Sequence, residues 1–245
     1  MPRLEPTVAY SDYKCHYEVD GETQVPPDAL SPARRAEEAR RIEFLLRIGR
    51  FRRGERVLDL GCGAGWVTRE LSEKGVRVVG LDLSKRGLRK ARTVAPKAAF
   101  VFGDGYALPL RDGSLDGAVL SEVLEHLAHP EDMLREVRRT LRPGGKLVVS
   151  VPYREEIRWT LCVHCNRFTP VNAHLHSFDE GSLFRLLSDA GFEDISLRTF
   201  SNRVLGVLGF PRWSLKGPYV LWWAVDEAFV RFLGRAGFLA ATARR

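Results

Sequence analysis

The stretch Arg56-Val57-Leu58-Asp59-Leu60-Gly61-Cys62-Gly63-Ala64-Gly65-Trp66 decides how the chain is read. Val57, Leu58 and Leu60 form the short apolar run of a parallel strand covered on both faces. Gly61, Gly63 and Gly65 follow, where a backbone must turn sharply and let a ligand come close. The helix predicted next offers free N–H groups at its first turn. A glycine turn after a strand also occurs in dinucleotide enzymes, with the spacing G-x-G-x-x-G. Here the spacing is G-x-G-x-G, and Asp59 stands two residues before the first glycine.

Outward from this turn, apolar runs and helical stretches alternate. Strands are expected at 56–60, 76–81, 99–102, 115–120, 146–151, 192–199 and 238–243. Helices are expected between them at about 66–74, 85–95, 130–141 and 179–190, with Pro143-Gly144-Gly145 as the turn into the fifth strand. Regular βα alternation implies a parallel sheet with helices on both faces. Before this core, Ser31-Pro32 starts a helix that ends at Gly49. Ala39, Ile42, Leu45 and Leu46 form its apolar stripe. Arg34, Arg35, Arg40 and Arg41, interleaved with Glu37, Glu38 and Glu43, read as a solvated face or, more sharply, as an RNA-binding one.

The D-x-G-x-G-x-G pattern from Asp59 resembles motif I of the class I S-adenosylmethionine (SAM) dependent methyltransferases, whose ligand is a cation with a free amino group. An acid at the turn suits a cation and would repel phosphate. The resemblance continues in order over about residues 50 to 200. Asp82, with Leu83 beside it, ends the second strand and matches the family's acid for the ribose hydroxyls, and Ser84 is the better helix cap. Gly103-Asp104-Gly105-Tyr106 resembles the adenine segment. Ser121-Glu122-Val123-Leu124-Glu125-His126 resembles the E-V-L-E-H stretch of small-molecule and quinone-type enzymes. The resemblance implies a Rossmann-like α/β fold with a mostly parallel seven-stranded sheet. It implies SAM held by Asp59, Gly61, Gly63, Gly65, Asp82, Leu83, Asp104, Gly105, Tyr106 and Ser121. Glu122, Glu125 and His126 are the candidates for a general base or a divalent-ion site; capping and orienting a helix is the plainer role for Glu125 and His126.

Three segments depart from that core: an N-terminal arm and helix (1–50), a Cys/His insertion (152–178) and an apolar helical decoration (200–237) within the main domain (51–245). The arm carries Tyr10, Tyr13 and Tyr17 with no persistent period, and reads as a lid lined by tyrosines or a surface-packed arm. In the insertion, Cys162, Cys165, His174 and His176 have the residue types of a closed, structural zinc site, although H-x-H is tighter than the usual spacing. A cytosolic chain with four Cys points to thiols or a metal rather than disulfides. The apolar segment, with Trp213, Trp222 and Trp223, reads as a helical layer on the core. Its alternatives are a substrate channel or a membrane-surface patch beside Arg203, Arg212, Lys216, Arg231 and Arg235.

The charge of +7 permits nucleic acid or an anionic membrane as partner without demanding either. No signal-peptide pattern and no apolar span are seen, so a soluble, cytoplasmic protein is expected. There is no D/N-P-P-Y after the fourth strand and no Pro-Cys dipeptide, which disfavours amino or C5 methylation of nucleobases. The leading expectation is methyl transfer from SAM to a small or lipid-like acceptor. The alternatives are an enzyme acting on RNA or protein, and a SAM-binding module without turnover.

Overall fold

The computed structural model describes residues 12–163 and 166–245. Helix α1 (Tyr13–Thr23) precedes α2 (Pro32–Gly49). The core then runs β1 (Arg56–Leu60), α3 (Trp66–Glu73), β2 (Arg77–Asp82), α4 (Lys85–Val94), β3 (Ala99–Phe102), β4 (Leu115–Ser121), α5 (Pro130–Thr140) and β5 (Leu141–Pro152). A hairpin, β6 (Trp159–Leu161) and β7 (Phe168–Pro170), leads to α6 (Glu180–Asp189) and β8 (Glu193–Asn202). Three helices, α7 (Arg203–Val207), α8 (Phe210–Ser214) and α9 (Tyr219–Leu233), come before β9 (Ala236–Arg244).

Seven strands form one sheet in the order β3-β2-β1-β4-β5-β9-β8. The first five are parallel, and β9 runs antiparallel to both β5 and β8. The order reverses between β1 and β4, so their carboxyl ends open a crevice where ligands of such sheets bind. The Pro143-Gly144-Gly145 turn lies inside β5 rather than before it. Leu141 pairs with Leu115, and the ladder resumes with Gly117 opposite Lys146, so residues 142–145 bulge.

One face of the sheet is covered by α5 and α6 through Met133, Leu134, Val137, Leu183 and Leu187. The other is covered by α2, α3 and α9 through Ile42, Phe44, Leu45, Leu71 and Trp222. Phe44 stacks on Phe200 with ring centroids 4.0 Å apart. Trp222 is only 2% exposed, so the expected helical layer is real at this position. The α2 stripe packs as its spacing predicts, and Ser31 caps the helix by accepting from the Arg34 N–H.

Two of its arginines overturn the solvated-face reading: Arg40 and Arg41 are buried. Arg40 donates to the Ser214 and Gly217 carbonyls and pairs with Glu43, pinning α8 and the turn before α9 onto α2. Arg41 turns inward toward the crevice. Only long side chains with forked donors can bury a charge this way, because each N–H finds an acceptor.

Candidate active site

At the end of β1 the Gly61 and Cys62 N–H groups both donate to the Leu81 carbonyl, folding the turn across the end of β2. Gly61 has φ +71°, and a Cβ there would lie 2.6 Å from Val123 Cγ2. Gly65, at φ +85°, is the N-cap of α3 and leaves only 3.0 Å to Ala91 for a Cβ. Both positions therefore require glycine.

Asp59 sits beneath this turn rather than in the crevice. Its Oδ2 accepts from the Thr68 hydroxyl at 2.5 Å, and burial pushes its carboxyl up to about 7. Asp82 does line the crevice. Its Oδ2 accepts from the Gly63 N–H at 2.9 Å and its Oδ1 from the Ser84 N–H at 2.8 Å, while Ser84 caps α4 as expected. Each oxygen keeps a further lone pair for a ligand hydroxyl. Burial raises this carboxyl despite those donors.

The crevice encloses about 140 Å³ beneath α1, less than the usual range of small-ligand sites. Gly61, Asp82, Leu83, Gly103 and Gly105 form its donor side. The arm that showed no period in sequence supplies the roof. Helix α1 places Tyr17 and Asp20 over the crevice, with Gln24 just beyond. Glu18 accepts from the Lys85 N–H at 2.6 Å, and Lys90 Nζ donates to the Gly21, Glu22 and Gln24 carbonyls. Tyr13 donates to Asp104 at 2.6 Å, and Lys14 lies 3.0 Å from the same oxygen. Burial pushes Asp104 up, but Tyr13, Lys14 and the Tyr106 N–H outweigh it and hold it below the ordinary carboxylate value. The Tyr106 hydroxyl accepts from the His129 N–H. Tyr10 lies outside the described residues.

The acceptor side gathers at the end of β4. Glu122, Val123, His126, Leu127 and Met133 face the crevice. Glu122 adopts φ +56°, a strained conformation for a residue with a Cβ. Its Oε1 accepts from Ser150 at 2.8 Å and lies 3.6 Å from Arg41. Arg41 also donates to Ser121 at 2.6 Å and pairs with Glu38, so Ser121 is bound to protein rather than lining the opening. Glu122 is raised by burial, which Arg41 partly offsets. Glu125 is fully buried and raised well above its usual value by burial and by Glu122; neither of its oxygens has a hydrogen-bond partner among the described residues. Burial and the neighbouring His174 lower His126 to about 4, so its imidazole is neutral at physiological pH.

The insertion behaves differently from the zinc expectation. Cys165 lies outside the described residues. Cys162 is at the hairpin turn, where its N–H donates to the Arg167 carbonyl. His174 and His176 leave it and reach the crevice wall. His176 Nε2 bonds the Leu127 carbonyl at 2.8 Å, and His174 Nδ1 bonds Glu155. The Leu175 and His176 N–H groups donate to the Glu125 carbonyl, which ties the long loop to the end of β4. Among the described residues the group able to hold a metal is Glu125, His126 and His174, with ligand atoms within 4.8 Å of one another. Cys162 and His176 are not part of it. Arg41 is the site residue that sequence reading missed; His174, expected there as a zinc ligand beside the cysteines, stands next to His126 with ring centroids 4.6 Å apart.

A seven-stranded sheet of this order, with a glycine turn and an acid at the first two strand ends, defines a class I SAM-dependent methyltransferase fold. The chain belongs to that family: the family model described as a methyltransferase domain matches residues 33–197. A demethylmenaquinone methyltransferase of Renibacterium salmoninarum is 30% identical over 63% of this chain and 73% of its own length. A protein of Mycolicibacterium smegmatis named as a probable SAM-dependent methyltransferase is 35% identical over 57% of this chain and 52% of its own. The chain spans less than two thirds of the first curated relatives it matches, 31% of one and 52% of another. Among solved structures, the [4+2]-cyclase SpnF superposes with a TM-score of 0.61 at 24% identity, covering 84% of this chain and 80% of that one. That likeness concerns the fold alone.

Proposed function

We propose that the chain transfers the methyl group of SAM to a small or lipid-like acceptor that enters beside the end of β4. The observation that carries this reading is one crevice with two unlike walls. Gly61, Asp82 and Gly105 stand on one side; Glu122, His126 and Tyr17 stand on the other. When bound, SAM supplies a methyl group already activated on a sulfonium. The task left to the protein is to place the acceptor in line with it, and orientation lowers the barrier most.

Asp82 would hold the ribose hydroxyls. Asp104 would serve the adenine edge once Tyr13 and Lys14 release its carboxylate, with the Tyr106 N–H holding the other oxygen. Neutral His126 accepts a proton, but its low basicity suits acceptors that lose one readily, such as hydroxylated aromatic rings, over aliphatic alcohols. The names of relatives, demethylmenaquinone methyltransferase among them, support a quinone-type ring. The burial of Arg40 and Arg41 weakens the RNA-face alternative. The test is a panel of hydroxylated quinols, phenols and aliphatic alcohols with SAM, read as S-adenosylhomocysteine released. Turnover confined to the aromatic acceptors is expected; turnover with aliphatic alcohols alone would overturn the reading.

A second reading is favoured by the orphaned carboxylate of Glu125. Glu125, His126 and His174 have the donor types and proximity to hold a divalent ion, which would polarise an acceptor oxygen. Metal analysis of the parent protein and of His174→Ala checks it: a full equivalent lost in the variant is the expected result.

A further inference from the structure

The geometry points to an anionic phospholipid surface as the partner of the sheet edge beside the crevice, docked through the free ends of α7 and α9. Tyr153 just past β5, Arg203 just past β8, and Gly234 and Arg235 just before β9 meet at one cleft, together with Arg154 and Val207. Because β5 is parallel to β4, this cleft opens at the same edge of the sheet as the candidate active site. The inference rests on the methyltransferase reading only for its purpose, delivery of a lipid-like acceptor; vesicle binding itself can be read without SAM.

Three observations carry it. First, large apolar side chains project into solvent where the cleft ends: Val207 is 89% exposed and Phe232 82%, with Leu208 and Leu233 also exposed. Trp213 on the intervening helix α8 is 80% exposed, whereas Trp222 on α9 is buried in the core. The segment thus divides into a packed layer and an unpacked rim, and the rim has aromatic residues suited to an interface. Second, the rim's cations lack acidic partners. Arg203, Arg212, Lys216, Arg231 and Arg235 form no ion pair among the described residues, although most cations elsewhere on α2 and around β4 do. Of the nearby acids, Asp226 is buried and accepts from the Ser201 and Asn202 N–H groups, Glu180 pairs with Arg154, half-buried Glu37 lies against Gly206 of α7, and only Glu227 is exposed on α9. Third, the hairpin that leaves the same end of β5 also exposes apolar residues, Leu161, Val163 and Phe168, next to Arg158 and Arg167.

Apolar groups flanked by unpaired arginines complement an anionic bilayer: the side chains enter the headgroup boundary while the guanidinium groups meet phosphates. A second copy of the chain would face the same cations and be repelled by them. No helix among the described residues is long and apolar enough to cross a membrane, so the contact is peripheral.

The experiment is co-sedimentation of the full chain with vesicles of phosphatidylglycerol mixed with phosphatidylcholine, and of phosphatidylcholine alone. The parent should bind the anionic vesicles, far less the neutral ones, and release them in high salt. Arg231→Gln with Arg235→Gln should weaken binding by about fivefold for each arginine removed. Val207→Ser with Phe232→Ser should weaken it at least as much, with thermal melting unchanged because both side chains are exposed. No binding by the parent, equal binding to neutral vesicles, or parental binding by either double variant would overturn the proposal. So would a dimer in solution that Val207→Ser with Phe232→Ser dissolves while vesicles stay unbound. If vesicles bind while no SAM turnover is found with any acceptor, the surface stands and the function reading fails.

Discussion

The donor wall of the crevice comes from consecutive strand ends within residues 60–105, whereas the acceptor wall gathers Arg41, Glu122 with His126, and His174 from three separate parts of the chain. The donor wall is mainly backbone: glycines at positive φ, an N–H held by Asp82, and a turn closed on Leu81. The acceptor wall is mainly buried side chains with raised or lowered pKa values. One wall is fixed by what the chain can sterically do, the other by what happens to pack there. Substitutions should therefore affect the two in different ways.

The largest effect is expected at the donor wall. In Gly61→Val the side chain collides with Val123 and the positive φ is strained, so SAM affinity should fall about 100-fold. Calorimetric titration measures it, and affinity within a few-fold of the parent would show that the turn tolerates a Cβ.

Next comes His126→Ala on the acceptor wall. Turnover with an aromatic acceptor should drop about 30-fold, below the usual range for a general base because the imidazole is a weak one, while SAM affinity stays nearly intact. With its pKa lowered to about 4, His126 is neutral across ordinary assay conditions. The parent's kcat should thus be flat in pH down to that value and fall below it. A variant with parental turnover would remove His126 from the chemistry.

The third effect falls on stability rather than on binding or turnover, at Asp59. Its folded pKa of about 7 lies above the unfolded value, so the fold binds the extra proton. Stability from this group is fully present below about pH 4 and is lost as pH rises through about 7. Asp59→Asn keeps an acceptor for Thr68 and removes that loss. It should be more stable than the parent at pH 8 by on the order of 4 kcal/mol, and no different at pH 4. Denaturant melts at the two pH values decide this. The same variant sharpens the contrast between the walls: SAM affinity should change little if Asp59 only supports the turn, and its loss would restore the sequence reading that put this acid against the ligand's amino group.

The succession of strands along the chain, the glycine turn and the acid at the end of β2 were legible because each rests on local pattern: period, spacing and glycine chemistry. Asp59 was misplaced in role because a short motif does not reveal which side of a turn a side chain faces; Thr68, in the first turn of α3, donates to its carboxylate. Arg40 and Arg41 read as solvated because alternating charges on a helix normally are, and only the packing of α8 and β4 against that face buries them. The arm showed no period because α1 is a short helix with little buried surface, held through polar contacts to α4 and Asp104 rather than by an apolar stripe. His174 and His176 are close in sequence to the cysteines, and that proximity suggested a shared ion. The loop instead carries the histidines to Glu125, Leu127 and His126.

The most direct measurement of the central claim uses methyl-labelled SAM, the protein and a cell extract separated into lipid, small-molecule, RNA and protein fractions. The account predicts label in the lipid or small-molecule fraction, abolished by Gly61→Val. Label in RNA or protein, or in no fraction although SAM binds, would contradict it.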